Sequence, residues 1–186
     1  MLNDFTVDLG SHNQIQVHRT HAEEEWNVTL ADTGLETLTA ERIHRVRCYV
    51  GDEPFMATYC DGVTNLNVEE LLRFHRMQGR LATLTGVRDV SRFGIVQEDD
   101  NGKVEGFKEK PQIQERINAG FFVFEPGVFD YLEGQQCMLE QGPLSALAEA
   151  EQLSIFSHDG FWQCMDTKRD HDILEKLWTT SAPWTK

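Results

Sequence analysis

The sequence lacks two features, each of which would place it in a particular class of protein. No apolar run approaches the roughly 20 residues that a helix needs to cross a bilayer, and the longest strongly apolar stretch is Phe121–Phe124. Basic residues are outnumbered 17 to 31 by acidic ones, which gives a net charge of −14. Nucleic acids and anionic membranes both require a basic surface, so we expect neither as the main partner.

The four cysteines form no Cys-x-x-Cys pair, and no signal peptide is present. We therefore predict reduced thiols in a cytoplasmic protein. His18 and His21 form the one close histidine pair, but no further ligands stand at metal-site spacing, which argues against zinc. Repeats, low-complexity tracts and Pro/Gly/Ser linkers are also missing. A length of 186 residues then suits a single domain spanning residues 1–186.

The first fifty residues predict a hairpin followed by a helix. Phe5–Leu9 and Gln14–His18 alternate in polarity on either side of a turn, and Trp26–Leu30 has the composition of a further strand. Helical spacing of apolar residues over Thr39–Val50 predicts a helix, with Thr39 as a possible N-cap.

The rest of the chain alternates between strand and helix patterns. Pro54–Tyr59 is a continuous apolar run, which is typical of a buried central strand. Asn67 can cap a helix over Val68–Gln78, and Gly79 can end it. Further strands are predicted at Ala82–Val87, Phe93–Gln97, Lys103–Lys110, Ile117–Phe124 and Leu153–Phe156, and further helices near Val128, at Ala146–Gln152 and at Thr167–Trp178 with Asp170, Asp172 and Glu175 facing solvent. This alternation predicts a mixed α/β sheet with attached hairpins.

Two aspartates follow predicted strands, where ligands collect in open α/β sheets. Asp61 comes after the apolar run that ends at Tyr59, and Asp166 comes after Phe161–Met165. Two carboxylates at strand ends could hold one Mg²⁺, which prefers oxygen ligands and shares them with phosphates. The alternatives are that Asp61 with Gly62 is a simple turn and that Asp166 caps the following helix.

Other polar residues could contact a phosphorylated ligand. Lys110 and Arg92 could neutralise a phosphate, Glu109 precedes the lysine, and the amide of Asn118 could bind sugar hydroxyls. Each also has an ordinary structural interpretation, namely a solvated turn residue for Lys110 and a turn cap for Asn118.

Taken in order, several segments resemble the glucose-1-phosphate cytidylyltransferase family over nearly the whole chain. These segments are Trp26–Leu30, Asp32-Thr33-Gly34, Thr58–Val63, Arg92-Phe93-Gly94, Glu109-Lys110-Pro111, Asn118–Val123, Gly160–Thr167, and the end from Leu177-Trp178 through Ala182–Trp184. The Phe-Trp-Gln-x-Met-Asp-Thr and Asp-Thr-Gly pieces are specific to the cytidylyl branch. Glu-Lys-Pro and a strand-end Asp-Gly belong to sugar-phosphate nucleotidyltransferases generally.

The resemblance implies a mostly parallel, Rossmann-like sheet of the nucleotidyltransferase type. It also implies Mg²⁺-dependent transfer of CMP from CTP to glucose 1-phosphate, which gives CDP-glucose and pyrophosphate, in a homo-oligomer. Asp61 and Asp166 would be the metal ligands, and Lys110 the cation on the sugar phosphate. The implied substrate contacts are Glu109, Asn118 and Arg92, with Asp32, Thr33 and Gly34 at the base pocket.

The chain departs from the family pattern in several places. Family members open with a strand and a loop of the type Gly-Gly-x-Gly-Thr-Arg, which supplies N–H groups and cations to the triphosphate. This sequence has no such loop, so we expect a chain truncated at its N-terminal end and inactive, or nearly so, on its own. Smaller departures are Cys60, Ala40, Glu41 and Ala119 in place of glycines, Asn65 in place of an aspartate, and the polar stretch 112–116 in place of a glycine-containing one.

Three hypotheses remain open from the sequence. The first is a cytidylyltransferase whose start is missing, which an in-frame glycine-rich loop in the upstream DNA would support. The second is a non-catalytic domain that binds sugar phosphates or partners, which an upstream stop codon would favour. The third is a subunit that a separate chain completes, which requires a short neighbouring gene. An unpaired sheet edge is expected in each case, covered by self-association or by the N-terminal hairpin.

Overall fold

The computed structural model describes residues 5–7, 15–17, 27–91, 93–134 and 136–185, and the chain divides into two units, residues 1–32 and 33–186. In the first unit, strands β1 (Phe5–Val7) and β2 (Ile15–Val17) pair antiparallel, with the first residue of β1 opposite the last residue of β2. The predicted antiparallel pairing is therefore confirmed, and the turn predicted between the two strands lies outside the described residues. The strand predicted over Trp26–Leu30 is wrong for residues 27–30, which form no regular element, and Trp26 lies outside the described residues.

The second unit contains the remaining elements. Its strands are β3 (Phe55–Thr58), β4 (Gly62–Thr64), β5 (Ala82–Val87), β6 (Ile95–Glu98), β7 (Val104–Lys108), β8 (Ile117–Phe124), β9 (Leu153–Ser157) and β10 (Trp162–Cys164). Its α-helices are α1 (Thr39–Arg45), α2 (Arg47–Val50), α3 (Val68–Gln78), α4 (Phe129–Leu132), α5 (Pro143–Glu149) and α6 (Lys168–Thr180), with 3₁₀ turns at Pro126–Val128 and Pro183–Thr185.

Four strands form the main sheet in the order β3-β8-β5-β9. Strand β8 is antiparallel to both of its neighbours, whereas β5 and β9 are parallel. Consequently β3, β5 and β9 all run in one direction and β8 runs against them. The mixed α/β sheet predicted from the sequence is confirmed.

Strand β3 lies at the edge of this sheet and not at its centre. The prediction of a buried central strand at Pro54–Tyr59 is wrong because only alternate side chains face the core. Phe55 and Ala57 are half-buried, while Met56 is 42% exposed. The other apolar strand, β8, is buried as predicted, since it has a hydrogen-bonded neighbour on each side.

Helices cover both faces of the sheet. On one face, Phe122 and Phe124 of β8 pack into an apolar cluster with residues of α1, α4 and α5. On the other face, His75 of α3 is 1% exposed and contacts Thr83 of β5 through Nδ1 at 2.9 Å and Glu125 through Nε2 at 3.2 Å. The apolar core thus lies between the sheet and helices α1, α4 and α5. On the opposite face, the buried His75 links α3 to the sheet.

Helix α3 begins and ends as predicted. The Asn67 side chain accepts a hydrogen bond from the Glu70 backbone N–H at 3.1 Å, and Gly79 is left-handed with a φ of 62°. Thr39, in contrast, is not an N-cap. Its hydroxyl accepts a hydrogen bond from the Leu139 N–H at 2.8 Å, which ties α1 to the segment before α5. The predicted helix over Thr39–Val50 is interrupted at Val46, between α1 and α2.

Two predictions about the later helices need correction. Asp170 is 8% exposed and does not face solvent, because it closes a capping box with Thr167 at the start of α6. Helix α5 begins at Pro143, earlier than predicted, with the proline in the first turn, where it is tolerated. No helix in the described part of the chain combines the length and apolar character that crossing a bilayer requires.

The aromatic packing around β8 gives a prediction for stability. Phe124 is fully buried, with its ring centroid 5.5 Å from that of Phe55 and 5.4 Å from that of Phe122. Replacing Phe124 with Ala should lower the free energy of unfolding by about 3–5 kcal/mol, because a cavity remains. Met56→Ala on the exposed edge should cost less than about 1 kcal/mol. Urea unfolding of both variants tests this, and equal losses would contradict the placement of the core.

Candidate functional site

The pairing of β4 with β10 brings the two candidate metal ligands to one place. Gly62 lies opposite Cys164 in this antiparallel ladder, and the Met165 N–H donates to the Asp61 carbonyl at 2.8 Å. Asp61 directly precedes β4, and Asp166 comes two residues after β10. The backbones of Asp61 and Met165 are therefore adjacent, and Asp166 is the next residue, although Asp61 and Asp166 are 105 positions apart in the sequence.

The structure excludes one of the two alternatives for Asp166, the cap of the following helix. Thr167, and not Asp166, caps α6, because its hydroxyl accepts the Asp170 N–H. The Asp166 carboxylate instead accepts a hydrogen bond from the Cys164 thiol, with 3.4 Å between sulfur and oxygen. Both Asp61 and Asp166 are exposed, so their carboxylates can reach a ligand from solvent.

A cavity of about 350 Å³ lies next to this ladder. Lys110 lines it on one side, and Trp162, Gln163 and Cys164 of β10 line it on the other. Lys110 has a φ of 45°, a conformation that is uncommon for a residue with a side chain, and its Nζ lies 3.6 Å from a Glu109 carboxylate oxygen. The structure thus brings the predicted phosphate-binding lysine to the strand that leads to Asp166.

Asn118 has a structural task in this region. Its side-chain oxygen accepts the Gly120 N–H at 3.0 Å, and Gly120 has a φ of 77°. Both residues lie within β8, where the register of its pairing with β5 shifts, so the oxygen stabilises an irregularity of the strand and does not cap a turn. One residue further on, the Ala119 carbonyl accepts the Trp162 indole N–H at 3.0 Å, which fixes the wall of the cavity.

The Asp-Thr-Gly segment does not line this cavity. Both Thr33 oxygens accept hydrogen bonds from α1, the hydroxyl from Arg42 at 2.6 Å and the carbonyl from Arg45 at 3.0 Å. Gly34 is left-handed with a φ of 85°. Asp32 is exposed and belongs to the first unit. The predicted Arg92 lies outside the described residues.

Sequence reasoning did not select several residues that line the cavity. These include Asp89 and Ser91 after β5, Trp162 and Gln163 in β10, and Arg169 in α6. Trp162 and Gln163 lie inside the Phe-Trp-Gln-x-Met-Asp-Thr piece, so that motif already contained a signal for them.

An arginine ties the ends of two strands together beside the cavity. The Arg116 guanidinium donates to the carbonyls of Gly86 and His158 at 3.1 and 3.2 Å and to Asp159 at 2.7 Å. Its side chain is 14% exposed. This hydrogen bond lowers the pKa of Asp159 below its ordinary value, with smaller contributions from the charges of Arg116 and Arg88.

Comparison with known proteins places the chain in a family. The sequence profile described as nucleotidyl transferase matches residues 5–167, which is most of the chain. The chain belongs to the nucleotidyltransferase family. Glucose-1-phosphate cytidylyltransferases from Salmonella typhi and Salmonella typhimurium are each 42% identical to it over 186 residues, covering 98% of this chain and 71% of theirs. A relative from Bacillus subtilis is 40% identical over 177 residues, 95% of this chain and 68% of its own.

Two solved structures that are similar to this chain show the same fold. A Bacillus anthracis protein assigned as a glucose-1-phosphate thymidylyltransferase, crystallised with sucrose, superposes with a TM-score of 0.57 at 15% identity and covers 77% of the chain. HddC from Yersinia pseudotuberculosis gives 0.53 at 16% identity, covering 76%. The chain spans 62% and 63% of the lengths of these two structures.

The Arg116–Asp159 contact can be tested by titration. Arg116→Gln should raise the pKa of Asp159 toward the ordinary value, because the charged donor that favours the carboxylate is gone. Carboxyl-detected NMR measures this directly. The carboxylate of Asp172, whose pKa is lowered by the Lys168 hydrogen bond, is the control and should not change. Since the folded-state pKa of Asp159 is the lower one, the stabilisation is present at neutral pH and is lost as pH falls through that pKa. An unchanged Asp159 would contradict the described contact.

A second titration concerns Tyr59, which lies between β3 and Asp61. Burial raises its pKa well above the ordinary value of 10.0, as do its hydrogen bond to Glu140 and the charges of Glu140 and Asp61. We expect stability to fall as pH rises past the pKa of an unfolded tyrosine, because the folded state holds that proton more tightly. Tyr59→Phe should flatten this decline in a urea series from pH 8 to pH 11, whereas Tyr49→Phe, at an exposed position, should not.

Proposed function

We propose that this chain provides the metal and sugar-phosphate part of a cytidylyltransferase site, which transfers CMP from CTP to glucose 1-phosphate. One observation carries the proposal. The β4–β10 ladder puts the backbone of Asp61 beside that of Met165, one residue before Asp166, and residues of β10 line a cavity together with Lys110. The activity is the one for which the Salmonella relatives are named, glucose-1-phosphate cytidylyltransferase.

The donor set fits Mg²⁺. No three His, Cys, Asp or Glu side chains in the described ranges form a group that could hold a metal. Two carboxylates alone suit Mg²⁺, which usually keeps waters and takes its other oxygens from substrate phosphates. Asp61 and Asp166 would hold the ion, which would neutralise and orient phosphate oxygens when bound.

The chain's own residues would then position the reactants. In the proposed reaction, a phosphate oxygen of glucose 1-phosphate attacks the α-phosphorus of CTP in line, one P–O bond forms, and the bond to pyrophosphate breaks. Catalysis of such a step is largely positioning and charge neutralisation. Lys110 would bind the sugar phosphate, with Arg92 as a second cation, while Glu109 and the Asn118 amide nitrogen would contact hydroxyls. Asp32, Thr33 and Gly34 at the base pocket remain a prediction from the resemblance.

We further propose that the protein acts in the cytoplasm as a homo-oligomer. The cytoplasmic location follows from the reduced thiols that the sequence predicts. Phe93, two residues before β6, and Phe107, within β7, are 77% and 63% exposed, which favours an interface there. Light scattering on the purified chain tests the assembly, and a monomer at micromolar concentration would contradict it.

This chain should bind glucose 1-phosphate without catalysing normal turnover of CTP. No two glycines are adjacent anywhere in the 186 residues, so the usual loop for a triphosphate is missing from them. We expect calorimetry to show Mg²⁺-dependent binding of glucose 1-phosphate and a pyrophosphate-release assay with CTP to show no normal turnover. Lys110→Met should weaken glucose 1-phosphate binding by about tenfold or more, because a charge-assisted hydrogen bond is lost.

The controls separate the hypotheses. Asp61→Asn should abolish the Mg²⁺ dependence of binding while leaving the fold intact by circular dichroism. Pyrophosphate release by the unaltered chain, absent in Asp61→Asn, would show that the triphosphate site is complete and that our expectation of inactivity is wrong. Binding of glucose 1-phosphate without any binding of CTP would favour the non-catalytic domain.

A further inference from the structure

A second, smaller cavity adjoins the one that Lys110 lines. It has a volume of about 130 Å³, and Trp162 and Asp89 line both cavities. The remaining lining of the smaller cavity is mostly polar and includes Gln112 and His158. The Trp162 side chain therefore separates the larger cavity, which Lys110 lines, from the smaller one, which neutral and ion-paired polar side chains line.

The walls of the smaller cavity are held in place by hydrogen bonds. His158 Nε2 lies 3.1 Å from the Thr64 hydroxyl and 3.1 Å from the Phe161 carbonyl. The Arg116 bonds described above fix the backbone of His158, and the indole bond to Ala119 fixes Trp162. A pocket fixed in this way loses little conformational entropy when a ligand binds.

The charges around the cavity indicate what it could bind. The Asp159 carboxylate lies 2.7 Å from Arg116 and 3.6 Å from Arg88. Together with Asp89, which also lines the cavity, it balances the charges of the two guanidinium groups. A neutral ligand that donates and accepts hydrogen bonds, such as the ring of a sugar, suits this compartment better than an anion does.

Two side chains could recognise such a ring. One oxygen of the Asp89 carboxylate accepts the Val90 N–H at 2.7 Å, and the other can accept from a hydroxyl. The Gln112 amide makes no side-chain hydrogen bond within the described part of the protein, and a backbone bridge to Val90 holds it opposite that segment. Gln112 also opens the stretch 112–116 in which the chain departs from the family pattern.

We propose that Asp89 and Gln112 determine sugar specificity, hydrogen-bonding ring hydroxyls of a sugar phosphate whose ring lies on Trp162 and whose phosphate points to Lys110. This inference rests on the proposed function and adds to it the residues that select the sugar.

The test compares two glutamines that are two positions apart and both exposed. Gln112→Leu should weaken binding of glucose 1-phosphate by about five- to tenfold, the loss expected for one or two hydrogen bonds, and should leave binding of inorganic phosphate unchanged. Gln114→Leu, outside both cavities, should change neither. Calorimetry gives the affinities, and saturation-transfer NMR should show weaker transfer to the sugar ring protons in Gln112→Leu alone.

The outcomes distinguish this inference from the proposed function. Equal glucose 1-phosphate affinities in Gln112→Leu and Gln114→Leu, with the unaltered chain still binding, would overturn the specificity role and leave the proposed function standing. Failure of the unaltered chain to bind glucose 1-phosphate would overturn both. A loss of affinity for inorganic phosphate in Gln112→Leu would also overturn the inference, because it would place Gln112 at the phosphate and not at the ring.

Discussion

The antiparallel placement of β8 between β3 and β5 is the constraint on which the rest of the second unit depends. Because β8 runs against its neighbours, its amino end lies at the same end of the sheet as the carboxyl ends of β3, β5 and β9. Asp61, Asp89, Asn118 and His158 follow or begin these strands. One pairing pattern thus collects polar groups from four distant parts of the chain.

The small β4–β10 ladder contributes a pair of linked chain segments to this end of the sheet, which a single strand of the main sheet does not. A strand end delivers one side chain into a site, whereas this ladder links two, one before β4 and one after β10. Its position is held from both ends, by the Trp162 indole at Ala119 and by the capping box that starts α6. The site is consequently built from short elements that rely on the rigid sheet beside them.

Much of this architecture could be predicted from the sequence. The boundaries of α3 followed from Asn67 and Gly79, and the buried β8 followed from its apolar run, because these signals are local. The edge position of β3 could not be predicted, since an apolar run looks the same whether one neighbour strand or two are present. Thr39 was misassigned for a similar reason. A hydroxyl before a helical pattern reads as a cap, but its partner, Leu139, is one hundred residues away.

Prediction of the site was limited in the same way. Motifs identified Asp61, Lys110 and Asp166 because each stands at a recognisable break in the pattern, but the cavities depend on contacts between segments. The Arg116 bonds to Gly86 and His158 join residues 30 and 42 positions away, and no spacing rule connects them. The departures from the family pattern were visible, but their meaning depended on seeing which of them line a cavity.

The edge position of β3 in the four-stranded sheet, with no other described strand paired on its outer side, has a consequence for the behaviour of the chain in solution. A strand with unsatisfied backbone groups on one side can serve as a template for further strands, and sheets then grow from molecule to molecule. Here the edge is only four residues long, and its outward side chains are Met56 and Thr58. Such a short edge is a weak template. Aggregation should therefore increase steeply with protein concentration and begin from the native fold, without prior exposure of the core.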